Sequence, residues 1–353
     1  MSKLHSIEEL VLMAKKNRAS DIHIVCGIPI KFRVDGRLNS IDDNIMEHED
    51  CEAYAKELSN RADEISSSGE LDLAISTKGG TRCRVNIYRQ QGHVSAAIRL
   101  LNDHIPSFDE LGLPAQVRNF NTFKQGIVLV TGETGSGKST SLACMLDQIN
   151  HTQTKHIITL EDPIEYIYHP DQCVINQREI GQDTETIQDG LKAILREDPD
   201  VILIGELRSL ETVETALVAA ETGHMVFATL HTNSAADTID RIVAVFPAVQ
   251  HEQVRMQLSM CLQAVICQQL LPHSSGRGRV LATELMLATP AIRNLIREGK
   301  TPQITNAIAT TGKEGNHLMD SCLIDLHRQR KITSEVAVRS AHDRDYVRRA
   351  TII

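Results

Sequence analysis

Residues 126–140, GIVLVTGETGSGKST, constrain this chain more than any other stretch. Positions 127–130 are wholly apolar with β-branched members, as in a strand buried on both faces. Residues 132–139 then match G-x-x-x-x-G-K-[ST] in full, and Leu142, Met145, Leu146 and Ile149 follow at helical spacing. Strand, glycine loop and helix in that order form the context a phosphate-binding loop requires. Such a loop curls backbone N–H groups around an anion, and the helix N-terminus adds its positive end. The candidate ATP-binding residues are therefore Gly132, Glu133, Thr134, Gly135, Ser136, Gly137, Lys138, Ser139 and Thr140. Lys138 would reach the β- and γ-phosphates, and Ser139 would hold Mg²⁺ through its hydroxyl, so ATP and Mg²⁺ are the expected cofactors.

Beyond the loop, apolar runs at 156–160, 201–204 and 225–230 alternate with helix-compatible segments at 184–196 and 209–221. The alternation predicts an α/β domain with a mainly parallel sheet and helices on both faces. Ligands bind such sheets at the carboxyl ends of the strands, where Glu161, Asp162, Glu165, Glu206 and His231 are expected to fall with the loop. Asp200-Val-Ile-Leu-Ile-Gly-Glu206 has the form of an apolar strand delivering a carboxylate, and Glu206 would hold Mg²⁺ directly or through water. Glu165 is a candidate general base for the attacking water, with Glu161 and Asp162 competing for the role. His224 and His231 flank one buried strand, an arrangement that suits either structural histidines or γ-phosphate sensing beside the loop. A metal centre is disfavoured, because no third ligand stands at the usual spacing. From residue 237 to the end the chain reads as largely helical.

Residues 1–104 read as a separate small α/β domain. Ile7, Leu10, Val11 and Ala14 share one helical face, and 48–65 suggests a second helix. Strand-like runs occupy 20–25, 30–38 with Asp35-Gly36 as a turn, 71–77, 82–89 and 93–101. A strand places Arg82 and Arg84 on one face, two residues apart, with Arg99 on the next strand. They are either a solvated face or a cationic set aimed at phosphate. Pro106, Gly112 and Pro114 mark a linker over 103–120.

Composition narrows the class. A chain of 353 residues suggests two domains. No apolar run is long enough to span a bilayer, and the first ten residues lack a signal peptide's apolar core. The eight cysteines form no C-x-x-C pair, which points to reduced thiols and the cytoplasm. A net charge of −9, no Trp and 3% aromatics argue against a nucleic-acid motor, which needs a basic groove and stacking platforms.

Four blocks carry a specific resemblance: GETGSGKST, ITLEDPIEYIY, LREDPDVILIGELRSLET and AAETGHMVFATLHTNSAADTIDR. They resemble the Walker A, aspartate-box, Walker B and histidine-box motifs of the type II/type IV secretion ATPase superfamily. The chain looks most like its PilT-like, twitching-motility retraction members. Ala291-Ile-Arg-Asn-Leu-Ile296 resembles the AIRNLI motif of those members. SDIHI and IKFRVDGRL resemble their N-terminal PAS-like domain.

The resemblance implies a PAS-like domain over 1–104 and a linker over 105–119. It implies a RecA-like ATPase domain over 120–353, with a helical C-terminal region from about 271. It further implies a homohexameric motor for pilus retraction with ATP between the domains. The motor would be cytoplasmic, peripheral at the inner face of the membrane and bound to an inner-membrane platform protein. On the matching positions, Glu165 is the catalytic glutamate, Glu206 the Walker B glutamate, and His224 and His231 the histidine box. Arg82, Arg84 and Arg99 match arginines that complete the ATP site. Ala291, Ile292, Arg293, Asn294, Leu295 and Ile296 would couple nucleotide state to movement. On a helix Ile292, Leu295 and Ile296 share one face, while Arg293 and Asn294 point elsewhere.

Two positions depart from the family pattern. Glu133 stands where Pro is usual, at a position that contributes backbone. Ser209 replaces a common Asp, and both are good helix N-caps. Extension and type II secretion relatives usually carry an extra N-terminal domain, and many a four-cysteine zinc motif; the lack of both favours retraction. Extension or type II secretion is the alternative within the family. A nucleotide-gated scaffold without turnover and a RecA-type nucleic-acid motor are the alternatives outside it.

Overall fold

The computed structural model describes residues 5–34, 36–59, 69–101 and 104–351. Their contacts separate two units: Met1–His104 with Pro163–Ile167, and Ile105–Asp162 with Tyr168–Ile353.

The first unit opens with α1 (Ile7–Lys16). Ser6 Oγ accepts the Glu9 N–H and the Glu9 carboxylate accepts the Ser6 N–H, a reciprocal cap that fixes where the helix starts. α2 (His48–Leu58) is shorter than the 48–65 expected; residues 60–65 lie outside the described residues, as does Asp35 of the expected turn. Six strands form one antiparallel sheet: β1 (Ala19–Ile24), β2 (Pro29–Val34), β3 (Arg37–Ile45), β4 (Glu70–Ser76), β5 (Arg82–Gln90) and β6 (His93–Leu100), in the order β3-β2-β1-β6-β5-β4. Alternation sends Ile22, Ile24, Phe32, Val85, Ile87 and Ile98 into one core with α1 and α2. The other face carries the polar partners of those residues.

The second unit begins with α3 (Phe108–Leu111) and holds a seven-stranded mixed sheet. Its strands are β7 (Gly126–Thr131), β8 (His156–Glu161), β9 (Val174–Glu179), β10 (Val201–Ile204), β11 (Met225–Leu230), β12 (Leu262–Pro272) and β13 (Arg279–Leu287). The order is β13-β12-β7-β11-β10-β8-β9, and only β13 runs antiparallel to its neighbour. The helices are α4 (Lys138–Thr152), α5 (Ile187–Ile194), α6 (Leu210–Glu221), α7 (Ala235–Ala244), α8 (His251–Cys261), α9 (Pro290–Arg297), α10 (Ile304–Thr310), α11 (Met319–Arg328), α12 (Ser334–Ser340) and α13 (Arg344–Thr351). β7, β10 and β11 are buried at every position, the pattern of strands covered on both faces.

The chain after residue 237 is less helical than its sequence suggests. β12 and β13 lie there, and the helical region begins at Pro290 rather than near 271. β12 follows α8 directly, with no Gly or Pro between Cys261 and Leu262 to mark the change. Burial on both faces also removes the alternation that would reveal a strand. β9, VINQRE, is a polar edge strand and was equally silent.

Candidate active site

The phosphate loop joins β7 to α4. Gly132 has φ 138°, and a Cβ there would lie 2.3 Å from the Gln268 carbonyl oxygen, so only glycine lets β12 run beneath the loop. Gly135 and Gly137 take left-handed φ values of 81° and 91°, which place successive N–H groups in a concave turn. Gly137 caps α4 with no side-chain acceptor, so the first N–H groups of that helix remain available to an anion. Glu133, Thr134 and Gly135 are exposed, and Ser136 is buried. The departure from Pro at Glu133 therefore leaves the carboxylate in solvent. Gln268 Nε2 donates to Ser141 Oγ at 2.7 Å, tying the first turn of α4 to β12.

Lys138, Glu206 and His231 meet at the loop. Lys138 Nζ donates to the carbonyls of Gly132 at 2.7 Å and Glu133 at 3.0 Å, and lies 3.5 Å from His231 Nδ1. His231 Nε2 lies 3.3 Å from Glu206 Oε1. An ammonium can only donate, so Nδ1 must accept, and the proton of a neutral imidazole then sits on Nε2 facing the carboxylate. Glu206 Oε2 also accepts from Arg208 Nη2 at 2.8 Å. The Arg208 bond, outweighing burial, holds the Glu206 carboxyl below the usual carboxylate range. Each group ends a strand of the sheet: Glu206 follows β10, His231 follows β11, and Lys138 follows β7 across the loop.

His224 is not part of that cluster. It precedes β11, its carbonyl accepts the Gly126 N–H at 3.0 Å, and its Nδ1 lies 3.0 Å from the Ala219 carbonyl oxygen at the end of α6. The six extended residues of β11 separate it from His231 by about 20 Å. Of the two alternatives for the histidine pair, sensing beside the loop is corrected for His224: the strand runs away from it, and only His231 reaches the loop end of the sheet.

Glu161 ends β8, and Gln177 Nε2 donates to its Oε1 at 3.4 Å. Glu165 is half-buried and lies in Pro163–Ile167, the segment that packs with the first unit. Arg82 Nε donates to the Ile164 carbonyl there at 3.4 Å.

The arginines share one face of the first sheet. Arg84 stands opposite Arg99, Arg99 opposite Asp21, and Asp21 opposite Arg33, a row across four strands. Arg99 Nε donates to Asp21 Oδ1 at 2.8 Å, and Arg33 Nε lies 3.6 Å from Asp21 Oδ2. Arg82 Nη1 donates to Ser76 Oγ at 3.2 Å. Among the described residues Arg84 has no ion-pair partner. Burial pushes Asp21 up, but bonds from Ser20 and Arg99 outweigh it and leave its pKa below the usual value. Sequence reasoning gave Asp21 no role; its signal was the SDIHI stretch.

α9 carries 290–297, with Thr289 Oγ1 capping the Ile292 N–H and Pro290 in the first turn. Ile292 and Ile296 are fully buried, Leu295 is half-buried, and Ala291 and Asn294 are exposed. Arg293 does not point away from the fold as expected. Its Nη1 donates to the Ser259 and Met260 carbonyls, both at 2.9 Å, and its Nη2 to Gln263 Oε1 at 3.1 Å. It caps the last turn of α8, where a cation is favoured by the free carbonyls. Asn294 Nδ2 donates to Glu298 Oε1 at 2.8 Å on the surface.

A family model described as "Type II/IV secretion system protein" matches residues 2–352. The chain is 45% identical over 333 residues to the "Type IV pilus retractation ATPase PilT" of Pseudomonas aeruginosa, covering 94% of this chain and 96% of that one. It is 43% identical over 310 residues to the "Uncharacterized protein YggR" of Escherichia coli, covering 88% and 94%. A solved structure of the pilus retraction motor PilT with bound ADP superposes with a TM-score of 0.92 at 45% identity, covering 98% of this chain and 100% of that one.

Proposed function

The chain belongs to the type II/IV secretion system protein family and is an ATPase of it, and on that premise we propose a homohexameric motor that retracts a type IV pilus. The observation that carries the proposal is the near full-length similarity to the Pseudomonas aeruginosa retraction ATPase. The motor works at the inner face of the cytoplasmic membrane against a platform protein; no described helix is long and apolar enough to cross a membrane itself. We read residues 1–104 as PAS-like, 105–119 as a linker and 120–353 as RecA-like.

In this proposal the loop N–H groups and Lys138 bind the phosphates of ATP. Ser139 and Glu206 fit Mg²⁺ as a hydroxyl and an ionised carboxylate, with phosphate oxygens and water left to complete an oxygen shell. Among the described residues no group of three His, Cys, Asp or Glu offers a competing metal centre. Mg²⁺ bound with the nucleotide would neutralise charge on the β- and γ-phosphate oxygens. Glu165 accepts the proton of the attacking water. Arg82, Arg84 and Arg99 supply positive charge to the transferring phosphate.

His231 senses the γ-phosphate through Lys138. A phosphate that draws the ammonium from the loop carbonyls also takes it from Nδ1, and the imidazole must then find another donor. His224 anchors the start of β11, at the end of the sheet away from the loop. Ile292, Leu295 and Ile296 pass the nucleotide state on by packing, Arg293 by its hold on α8, and Ala291 and Asn294 at the surface.

The test is pilus retraction in a retraction-deficient strain complemented with this chain. Wild type restores twitching and the Lys138→Ala variant does not. Restored pilus assembly without retraction would overturn the direction, and equal complementation by the Lys138→Ala variant would overturn the motor.

A further inference from the structure

Glu284, on β13, is a buried carboxylate that none of the steps above employs. It is 4% exposed. Its Oε1 accepts the Ala235 N–H at 2.8 Å and its Oε2 accepts the Met319 N–H at 3.3 Å. Those are the first residues of α7 and α11. The opening N–H groups of a helix have no partner within it and carry its positive end. One carboxylate thus serves two helix starts at once. α7 has a second cap, because Ser234 Oγ accepts the Asp237 N–H at 3.1 Å. Leu318 at the N-cap of α11 offers no side-chain acceptor. Burial pushes the Glu284 carboxyl up, and the two N–H bonds pull against it.

The two helices lead to different places. α7 follows His231-Thr232-Asn233-Ser234 without a break, and Thr232 Oγ1 lies 2.7 Å from Thr238 Oγ1 in its first turn. α11 opens a helical module whose core residues, among them Met319, Leu323, Ile324, Ile332, Ala337 and Val347, pack with Leu271 of β12 and Ala282 of β13. Asp320, next in the chain, accepts the His342 and Asp343 N–H groups, both at 2.8 Å, at the start of α13. An unbroken set of bonds therefore runs from the His231 loop through Glu284 and Asp320 to the last helix. Apolar side chains would fill the same space but could not fix two helix starts to one point.

We propose that Glu284 is a positioning residue that ties the His231 loop to the α11–α13 module, so that the module moves with the nucleotide state. The proposal rests on the reading of His231 as the γ-phosphate sensor. It is tested on the full chain by amide hydrogen exchange with ADP and with a non-hydrolysable ATP analogue, beside steady-state ATPase kinetics.

In the wild type, exchange in 235–244 and in 319–347 should differ between the two nucleotides. The Glu284→Gln side chain keeps the shape but turns an NH₂ toward one helix start. The nucleotide difference in 319–347 should vanish while that in 235–244 persists, with KM for ATP held and kcat lowered by about 3- to 30-fold. Asp320→Asn, one link further on, should lose the difference around 342–347 alone; it carries the test if Glu284→Gln does not fold. An unchanged difference in 319–347 in these variants, or none in the wild type, overturns the link. His231→Ala separates the premise: if it retains turnover and every exchange difference, the sensor reading falls, and the Glu284→Gln result judges the link alone.

Discussion

The two sheets of this chain put their chemistry in different places. The six-stranded antiparallel sheet buries one face, and its cations line the other, so strand register decides which of them meet: Arg84 faces Arg99, and Arg99 faces Asp21. The seven-stranded sheet is covered on both faces, and a polar side chain on β7, β10 or β11 has little room except at a strand end. One sheet is a surface and the other a set of terminals. On a surface a neighbour two residues away shares the site. Among terminals a residue at the wrong end of its strand is excluded, as His224 is.

The sharpest way to break this contrast is at a terminal. Lys138→Ala should abolish turnover, because the loop loses its one ammonium; appreciable ATPase activity in the purified variant would place the active centre elsewhere. On the surface, at least one of Arg82→Ala, Arg84→Ala and Arg99→Ala should lower kcat by about 10³–10⁵-fold with weaker effects on nucleotide binding. Arg84, without an ion-pair partner among the described residues, should exceed Arg99, whose guanidinium is engaged by Asp21. The reverse order in single-turnover assays would show that the ion pair opens before reaction.

Glu165→Gln should keep ATP binding and lose about 10²–10⁴-fold in hydrolysis, since an amide cannot take the proton. Near-normal turnover would return the role to Glu161 or Asp162. Around the terminals, packing dominates. Ile296→Ala should cost about 2–5 kcal/mol in denaturant unfolding, and the half-buried Leu295→Ala less. Arg293→Ala should cost about 1–3 kcal/mol, because it strips partners from the last carbonyls of α8.

The smallest effect concerns pH. Burial holds His317 below the ordinary histidine value of 6.5, and its Nε2 lies 2.9 Å from Thr283 Oγ1. A depressed histidine pKa means the unfolded chain protonates first. Its contribution is intact above 6.5 and is lost as pH falls toward the folded value. His317→Gln should flatten that part of the acid limb in urea midpoints; an unchanged slope would assign it to other groups.

Much of this was legible in the chain. The glycine loop, the carboxylate after VILI and the alternation at 82–89 are local patterns, and each depends on only a few neighbours. What stayed hidden depends on distant ones. β12 has no alternation because two layers cover it, and Arg293 reads as exposed because its partners lie 30 or more residues away. Glu165 reads as a strand-end group because it follows β8 closely in sequence, whereas its segment packs with the first unit. The ends of β11 are legible, because in a parallel sheet chain direction alone puts His231 with the loop and His224 away from it.

β7 acquires its two neighbours at different times. β11 is complete by residue 230, but β12, which lies under Gly132 and pins α4 through Gln268, ends only at residue 272. A growing chain released to residue 250 would hold every residue of the phosphate loop and still leave one edge of β7 bare, with nothing beneath the glycines to hold their turn. Closing that long loop is an entropic cost met late. During synthesis, the ability to grip a nucleotide should therefore emerge only near the end of translation, long after the residues that make the grip.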